Sequence, residues 1–126
     1  MARRRHAIHL KRAYAAAAPE DGQRLLIDAL WPRGVSKEAL QAEAWLKGLA
    51  PSTALRTWFG HDPARWEAFR ERYFAELEAN PQAVAELRAY LDRGAVTLLY
   101  GARDETHNNA VALRQWLQSK PASGRR

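Results

Sequence analysis

Asp28 and His107 are the two side chains of this sequence placed to move a proton, and each lies beside a break in an apolar run. Asp28 falls within Arg24 to Leu30 (RLLIDAL), which runs into Trp31-Pro32-Arg33-Gly34. His107 follows Ala95 to Tyr100 (AVTLLY), in the stretch Gly101-Ala102-Arg103-Asp104-Glu105-Thr106-His107-Asn108-Asn109. A carboxyl group in apolar surroundings is pushed toward its neutral form and suits acid–base work, unless a nearby arginine neutralises it. Arg33 and Arg103 carry planar forks that fit a phosphate or carboxylate. Arg33 serves equally well as a partner that pairs with Asp28 and holds the turn. Asp104 reads as a helix N-cap, which sets His107 in the first helical turn, where the dipole disfavours a charged imidazole. A neutral imidazole there acts as a base or hydrogen-bonds the core. Trp31, at a strand end beside Arg33, is positioned to flank a ligand, and Tyr100 and Asn108 complete the same rim. A second cluster, Arg56-Thr57-Trp58-Phe59-Gly60-His61-Asp62-Pro63, joins two helices, and His61 on that linker is placed to reach the rim.

These residues share a rim only if the elements carrying them are arranged to bring them together. Three segments read as strands. Ala7 to Tyr14 partly alternates apolar and polar residues, as a strand buried on one face does. Arg24 to Leu30, with Asp28 inside it, and Ala95 to Tyr100 are nearly continuous apolar runs, which suits strands covered on both faces. Between the first two, Pro19 and Asp21-Gly22 mark a loop. Ser52 opens a short helix through Leu55 and Trp58 to Gly60. Asp62-Pro63 starts another, with Trp66, Phe69, Tyr73 and Leu77 at helical spacing. Asn80-Pro81 repeats that signal, Val84, Leu87 and Leu91 form the stripe, and Gly94 is placed for a left-handed cap. A last helix starts near Asp104 and buries Ala110, Leu113 and Leu117. The expected fold is α/β: a small sheet of three strands, at least partly parallel, with four to five helices packed on it. Ligands of such sheets bind beyond the carboxyl ends of the strands.

Composition narrows the function classes. At 126 residues the chain is one domain's length, and 47% apolar content with five Trp, four Tyr and three Phe supplies a core. The formal charge of +6 resides in the tails: Arg3, Arg4, Arg5, Lys120, Arg125 and Arg126 leave fourteen basic against fourteen acidic residues between them. The expectation is a folded body from about residue 7 to 119, with flexible basic tails over 1–5 and 120–126. Nucleic acid is therefore not the favoured partner, since a dedicated binder carries its bias on the folded surface. No apolar run reaches the ~20 residues of a membrane span, and MARRRHAIHLKRAY does not read as a secretory signal. The absence of cysteine excludes disulfides and thiolate chemistry and fits the cytoplasm. His6 and His9 are three apart, wrong for one strand face, so no metal site is expected. GxGxxG, Walker and GxSxG patterns are absent.

Three blocks, LLIDALWPRGVSKEAL, APSTALRTWFGHDPARWEAFRERYFAEL and VTLLYGARDETHNNAVALRQWL, together resemble the YeaO-like family of bacterial and archaeal proteins. The resemblance runs from about Ile8 to Leu117. It implies the same compact α/β fold and a cytoplasmic setting, and it brings with it no activity, substrate or cofactor. The family pattern matches Asp28, Trp31, Pro32, Arg33 and Gly34, then Trp58 to Pro63, then Tyr100, Arg103, Asp104, His107 and Asn108. Many members have an arginine where this chain has Ala29, which leaves Arg12 or Arg103 to stand in for it. The resulting expectation is a rim pocket for a small acidic metabolite or nucleotide. In it Arg33 and Arg103 hold the anion, Trp31 flanks it, and His107 with Asp28 supplies any proton transfer. The alternative is a nucleic-acid or protein-binding module that uses the basic tails and exposed aromatics.

Overall fold

The computed structural model describes residues 7–119. The two basic tails and His6 lie outside that range. The elements are β1 (Ile8–Arg12), β2 (Gln23–Leu26), α1 (Lys37–Leu40), β3 (Ala44–Trp45), α2 (Thr53–Phe59), α3 (Trp66–Glu78), α4 (Pro81–Arg93), β4 (Val96–Tyr100) and α5 (Asn109–Gln118). The sheet has four strands rather than three, in the order β1-β4-β2-β3, and every pairing is parallel. The additional strand, β3, is two residues long and sits on the edge, pairing Leu25 with Ala44 and Leu26 with Trp45. No described helix is long and apolar enough to cross a membrane.

The two continuous apolar runs form the centre of the sheet. Every residue of β4 is buried, and Leu25, Leu26 and Ile27 are fully covered. Alternation sorts these side chains by face. Leu25, Ile27, Leu98 and Tyr100 join a large core with Phe59, Phe69, Tyr73, Leu87, Leu113 and Trp116 from the helices. Leu26 and Leu99 point the other way, into a smaller cluster with Ala13 and Leu40, against which Trp31, Val35 and Trp45 pack. The chain thus leaves β2 toward one face of the sheet and leaves the adjacent β4 toward the other. That divergence opens a crevice at the carboxyl ends of the two strands.

The helical signals are largely realised. Ser52 caps α2 by accepting from the Leu55 N–H, and Gly60 ends it in the left-handed conformation at φ 54°. Asp62 and Pro63 open a single 3-10 turn over Pro63–Arg65, and α3 proper begins at Trp66. Gly94 departs from expectation: at φ 159° and ψ −168° it is extended and makes no left-handed cap. Strand β2 also stops at Leu26, so Asp28 stands beyond the strand rather than within it.

A buried ionic cluster beside the start of β2 ties three strands together. Asp21 accepts from Lys11 Nζ at 2.9 Å and 3.0 Å, from Arg24 Nη1 at 2.6 Å and from the Ala18 N–H at 3.0 Å. Arg24 also donates through Nε to the Leu40 carbonyl, and the Thr97 hydroxyl donates to the Asp21 carbonyl. The cluster therefore links β1, β2 and β4 across one face. Next to it, Gly22 at φ 64° lies so close to β4 that a Cβ would sit 2.6 Å from the Ala95 carbonyl oxygen. Burial alone would push the Asp21 carboxyl up, but the bonds from Lys11, Ala18 and Arg24 outweigh it and hold the group down at about 2. With the folded value below the unfolded one, its contribution is complete above the ordinary carboxylate range and fades as pH falls from about 4 to about 2. Asp21→Asn is expected to cost about 3–5 kcal/mol at neutral pH, because Arg24 stays buried without its counter-charge. Urea unfolding at pH 7 and pH 3 checks this, with a smaller difference between the proteins at pH 3.

Candidate functional site

The crevice between the ends of β2 and β4 is a cavity of about 430 Å³. Asp28, Ala29 and Leu30 supply one wall, and Gly101, Ala102, Asn108 and Asn109 a second. The third comes from Pro51, Arg56, Thr57, Phe59 and His61 around α2, with Phe69 of α3. Apolar rings and a few converging polar groups in a cavity of this size are the usual make-up of a small-molecule site.

Asp28 is the group about which the cavity is organised. Its Oδ2 accepts the Gly101 N–H at 2.8 Å, and its Oδ1 accepts from Asn109 Nδ2 at 3.0 Å. Asn109 Nδ2 also contacts the Ile27 carbonyl at 3.4 Å, and the Asp28 carbonyl accepts from the Trp45 indole at 2.8 Å. Gly101 permits this approach, since a Cβ there would lie 3.2 Å from Asp28 Oδ2. Desolvation pushes the Asp28 carboxyl above its ordinary range, only partly offset by the bonds from Asn109 and Gly101 and by the charges of Arg56 and His61.

Arg56 brings positive charge to the opposite wall, where His61 stands beside it. Arg56 Nε donates to the Pro51 carbonyl at 3.2 Å and Nη2 to Thr53 Oγ1 at 3.0 Å. The guanidinium is thereby fixed, while Nη1 has no acceptor among the described residues. His61 follows Gly60 and is itself left-handed at φ 58°, an uncommon conformation for a residue with a Cβ. Its ring lies 6.2 Å from that of Phe59.

The other rim residues go elsewhere. Arg33 is exposed, outside the cavity, and makes no ion pair with Asp28, because the turn after Pro32 carries it outward. Arg103 is exposed and likewise does not line the cavity. Trp31 turns away from the site: its indole donates to the Val35 carbonyl at 2.6 Å and packs edge-on against Trp45 at 5.4 Å. Tyr100 is buried in the main core, where burial and then the charge of Glu105 push its phenol up. Arg12 donates to the Gly101 and Ala102 carbonyls and so holds the cavity wall from behind.

His107 and Asp104 form a local pair beside the cavity. The Asp104 carboxylate accepts the Thr106 and His107 N–H groups, each at 2.9 Å, and contacts His107 Nδ1 at 3.0 Å. Those bonds, the Thr106 N–H foremost, hold the Asp104 carboxyl well below its ordinary range. The His107 ring meets Trp66 edge-on at 5.3 Å, and Trp66 stacks on Phe69, which lines the cavity. His107 is therefore one layer removed from the cavity. Asp104 is not the cap of α5, which begins five residues later. Asn108 fills that role: Oδ1 accepts the Val111 N–H at 2.9 Å and Nδ2 donates to the Asp104 carbonyl.

These features define a small parallel-sheet α/β domain with a polar crevice at its strand ends. A family model described as the inactive DUF488-N3 subclade matches residues 7–125, and the chain belongs to that family, the YeaO-like proteins. It is 41% identical over 112 residues to the uncharacterized protein YeaO of Escherichia coli K12, covering 89% of this chain and 97% of that one. It is 37% identical over 113 residues to the uncharacterized proteins Mb3100c of Mycobacterium bovis and Rv3073c of Mycobacterium tuberculosis, covering 90% of this chain and 95% of each. No solved structure matches significantly.

Because the Asn108 amide is committed to the helix start, its replacement should register in stability. Asn108→Ala is expected to cost about 1–2 kcal/mol, and Asn108→Ser to recover part of it by keeping a capping oxygen. Denaturant unfolding of the two variants checks this.

Proposed function

We propose that the cavity binds a small molecule bearing a phosphate or carboxylate, such as a nucleotide, a sugar phosphate or another acidic metabolite, without turning it over. The reading is carried by Arg56: a guanidinium clamped on two sides, with a donor face uncommitted, lines a cavity that Asp28 closes at its base. A fork held in advance loses little freedom on meeting an anion. His61 adds a second donor on the same wall. Its left-handed backbone is strain of the kind that collects at ligand sites.

Binding without turnover is favoured for two reasons. The family description calls the subclade inactive. In this chain the imidazole expected to act as base, His107, is engaged by Asp104 and Trp66 and does not line the cavity. Ala29, beside Asp28 in the cavity wall, carries no charge, and Arg56 supplies the cationic group from the opposite wall.

A thermal-shift panel of inorganic phosphate, phosphorylated metabolites, nucleotides and carboxylates tests the reading. A ligand at a hundredfold its dissociation constant stabilises the wild type by about 2.7 kcal/mol. That shift should shrink in Arg56→Gln and persist in Arg33→Ala and Arg103→Ala. The opposite pattern overturns the assignment. A response to short oligonucleotides alone, erased by salt, transfers the function to the basic tails. His61→Gly separates fold from function: relief of the left-handed backbone raises stability by about 1 kcal/mol, while the ligand-induced shift falls.

A further inference from the structure

The two ends of the cavity differ in sign, and that difference constrains the ligand beyond its anion. At the base, Asp28 presents two carboxylate oxygens, each already holding one neutral N–H donor. Asn109 spends its Nδ2 on Asp28 and Ile27, which fixes the orientation of its amide and leaves its oxygen without a donor among the described residues. The side-chain groups at the base therefore offer acceptors. Among the described residues no cation touches the carboxylate: Arg56 is bound to Pro51 and Thr53 and acts on Asp28 only through its field. At the outer wall the order is reversed, with Arg56 and the exposed His61 offering donors.

We infer that the ligand carries a primary ammonium group as well as its anion, the ammonium held by Asp28 and the Asn109 oxygen and the anion by Arg56 and His61. The inference rests on the anion-pocket reading and adds the second half of the ligand. A purely anionic molecule filling the cavity brings its charge toward a desolvated carboxylate, and an apolar tail strips the remaining water from that carboxylate without replacement. An ammonium supplies three donors, enough for both Asp28 oxygens and the Asn109 oxygen, and provides the counter-charge this carboxylate lacks. The class is a small amine-bearing acid. Both α-amino acids and amino-sugar phosphates present that chemistry.

Isothermal titration of the full chain at pH 7.5 tests this, using α-amino acids and amino-sugar phosphates, each beside its counterpart with hydroxyl in place of the amine. In at least one series the amine-bearing compound should bind at least about tenfold more tightly, as a charge-assisted bond implies. The responding series identifies the source. Asp28→Asn should reduce that preference to less than about threefold, since the charged half of the interaction is gone. The wild-type comparison stands even where the variant folds poorly. Equal binding of amine and hydroxyl members overturns the ammonium assignment and leaves the anion pocket intact. Preference for the hydroxyl compounds, or for anions carrying a neutral amide, overturns it likewise. Failure of every member to bind overturns the ammonium assignment, and the thermal-shift panel with phosphate and nucleotides then decides the anion pocket by itself.

Discussion

The carboxylate of Asp28 accepts one hydrogen bond from the backbone just past β4 and another from the first residue of α5. Those two bonds couple the end of β2 to the end of its central neighbour at the point where their chains diverge to opposite faces. Parallel pairing brings the strand ends together, but a parallel sheet also leaves its terminal backbone groups without ladder partners. Asp28 satisfies the Gly101 amide, and Arg12 satisfies the Gly101 and Ala102 carbonyls. The cavity wall is thus held by polar contacts on both sides. The cost is a carboxyl group partly stripped of water and held above its ordinary range.

The opposite end of the sheet handles charge differently. Asp21 is as deeply placed as any charged group described, yet it lies low because Lys11 and Arg24 both reach it. Comparison of the two aspartates separates their roles. Asp21 is surrounded by cations and backbone donors and is complete as it stands, whereas Asp28 receives neutral donors only and faces a cavity. Buried charge that is fully paired reads as architecture, and buried charge that is partly paired beside open volume reads as recognition.

The strong apolar periods were legible in the sequence, and so were an at least partly parallel sheet and the helix starts at Ser52 and Asp62. Strand β3 was not, because two residues on a sheet edge carry no period. The start of α5 was misplaced for a physical reason: Asp104 and Asn108 both accept backbone N–H bonds, but Asp104 closes only a local turn, and the helix propagates from Asn108. The apolar stripe of Ala112, Leu113 and Trp116 begins just after Asn108 and was the available cue. Asp28, Asn108 and His61 were named from residue type and meet at the cavity, while Arg33 and Trp31 were drawn in by proximity to Asp28 along the chain and Arg103 by proximity to His107. Loop direction removed them, and no one-dimensional pattern reports loop direction. Arg56 and Asn109 went unassigned because an arginine on a short helix and a second asparagine after a cap resemble ordinary surface. What distinguishes them is that both face Asp28 across the crevice.

Backbone and side-chain amide resonances followed by ¹H–¹⁵N correlation spectra report most directly on whether this crevice is a binding site. On addition of an amine-bearing acid, the Gly101 amide and the Asn109 side-chain amide should shift together in a saturable way, with Arg33 and Arg103 unmoved. Saturable shifts centred on Arg33 or Arg103, with Gly101 and Asn109 silent, would contradict the account.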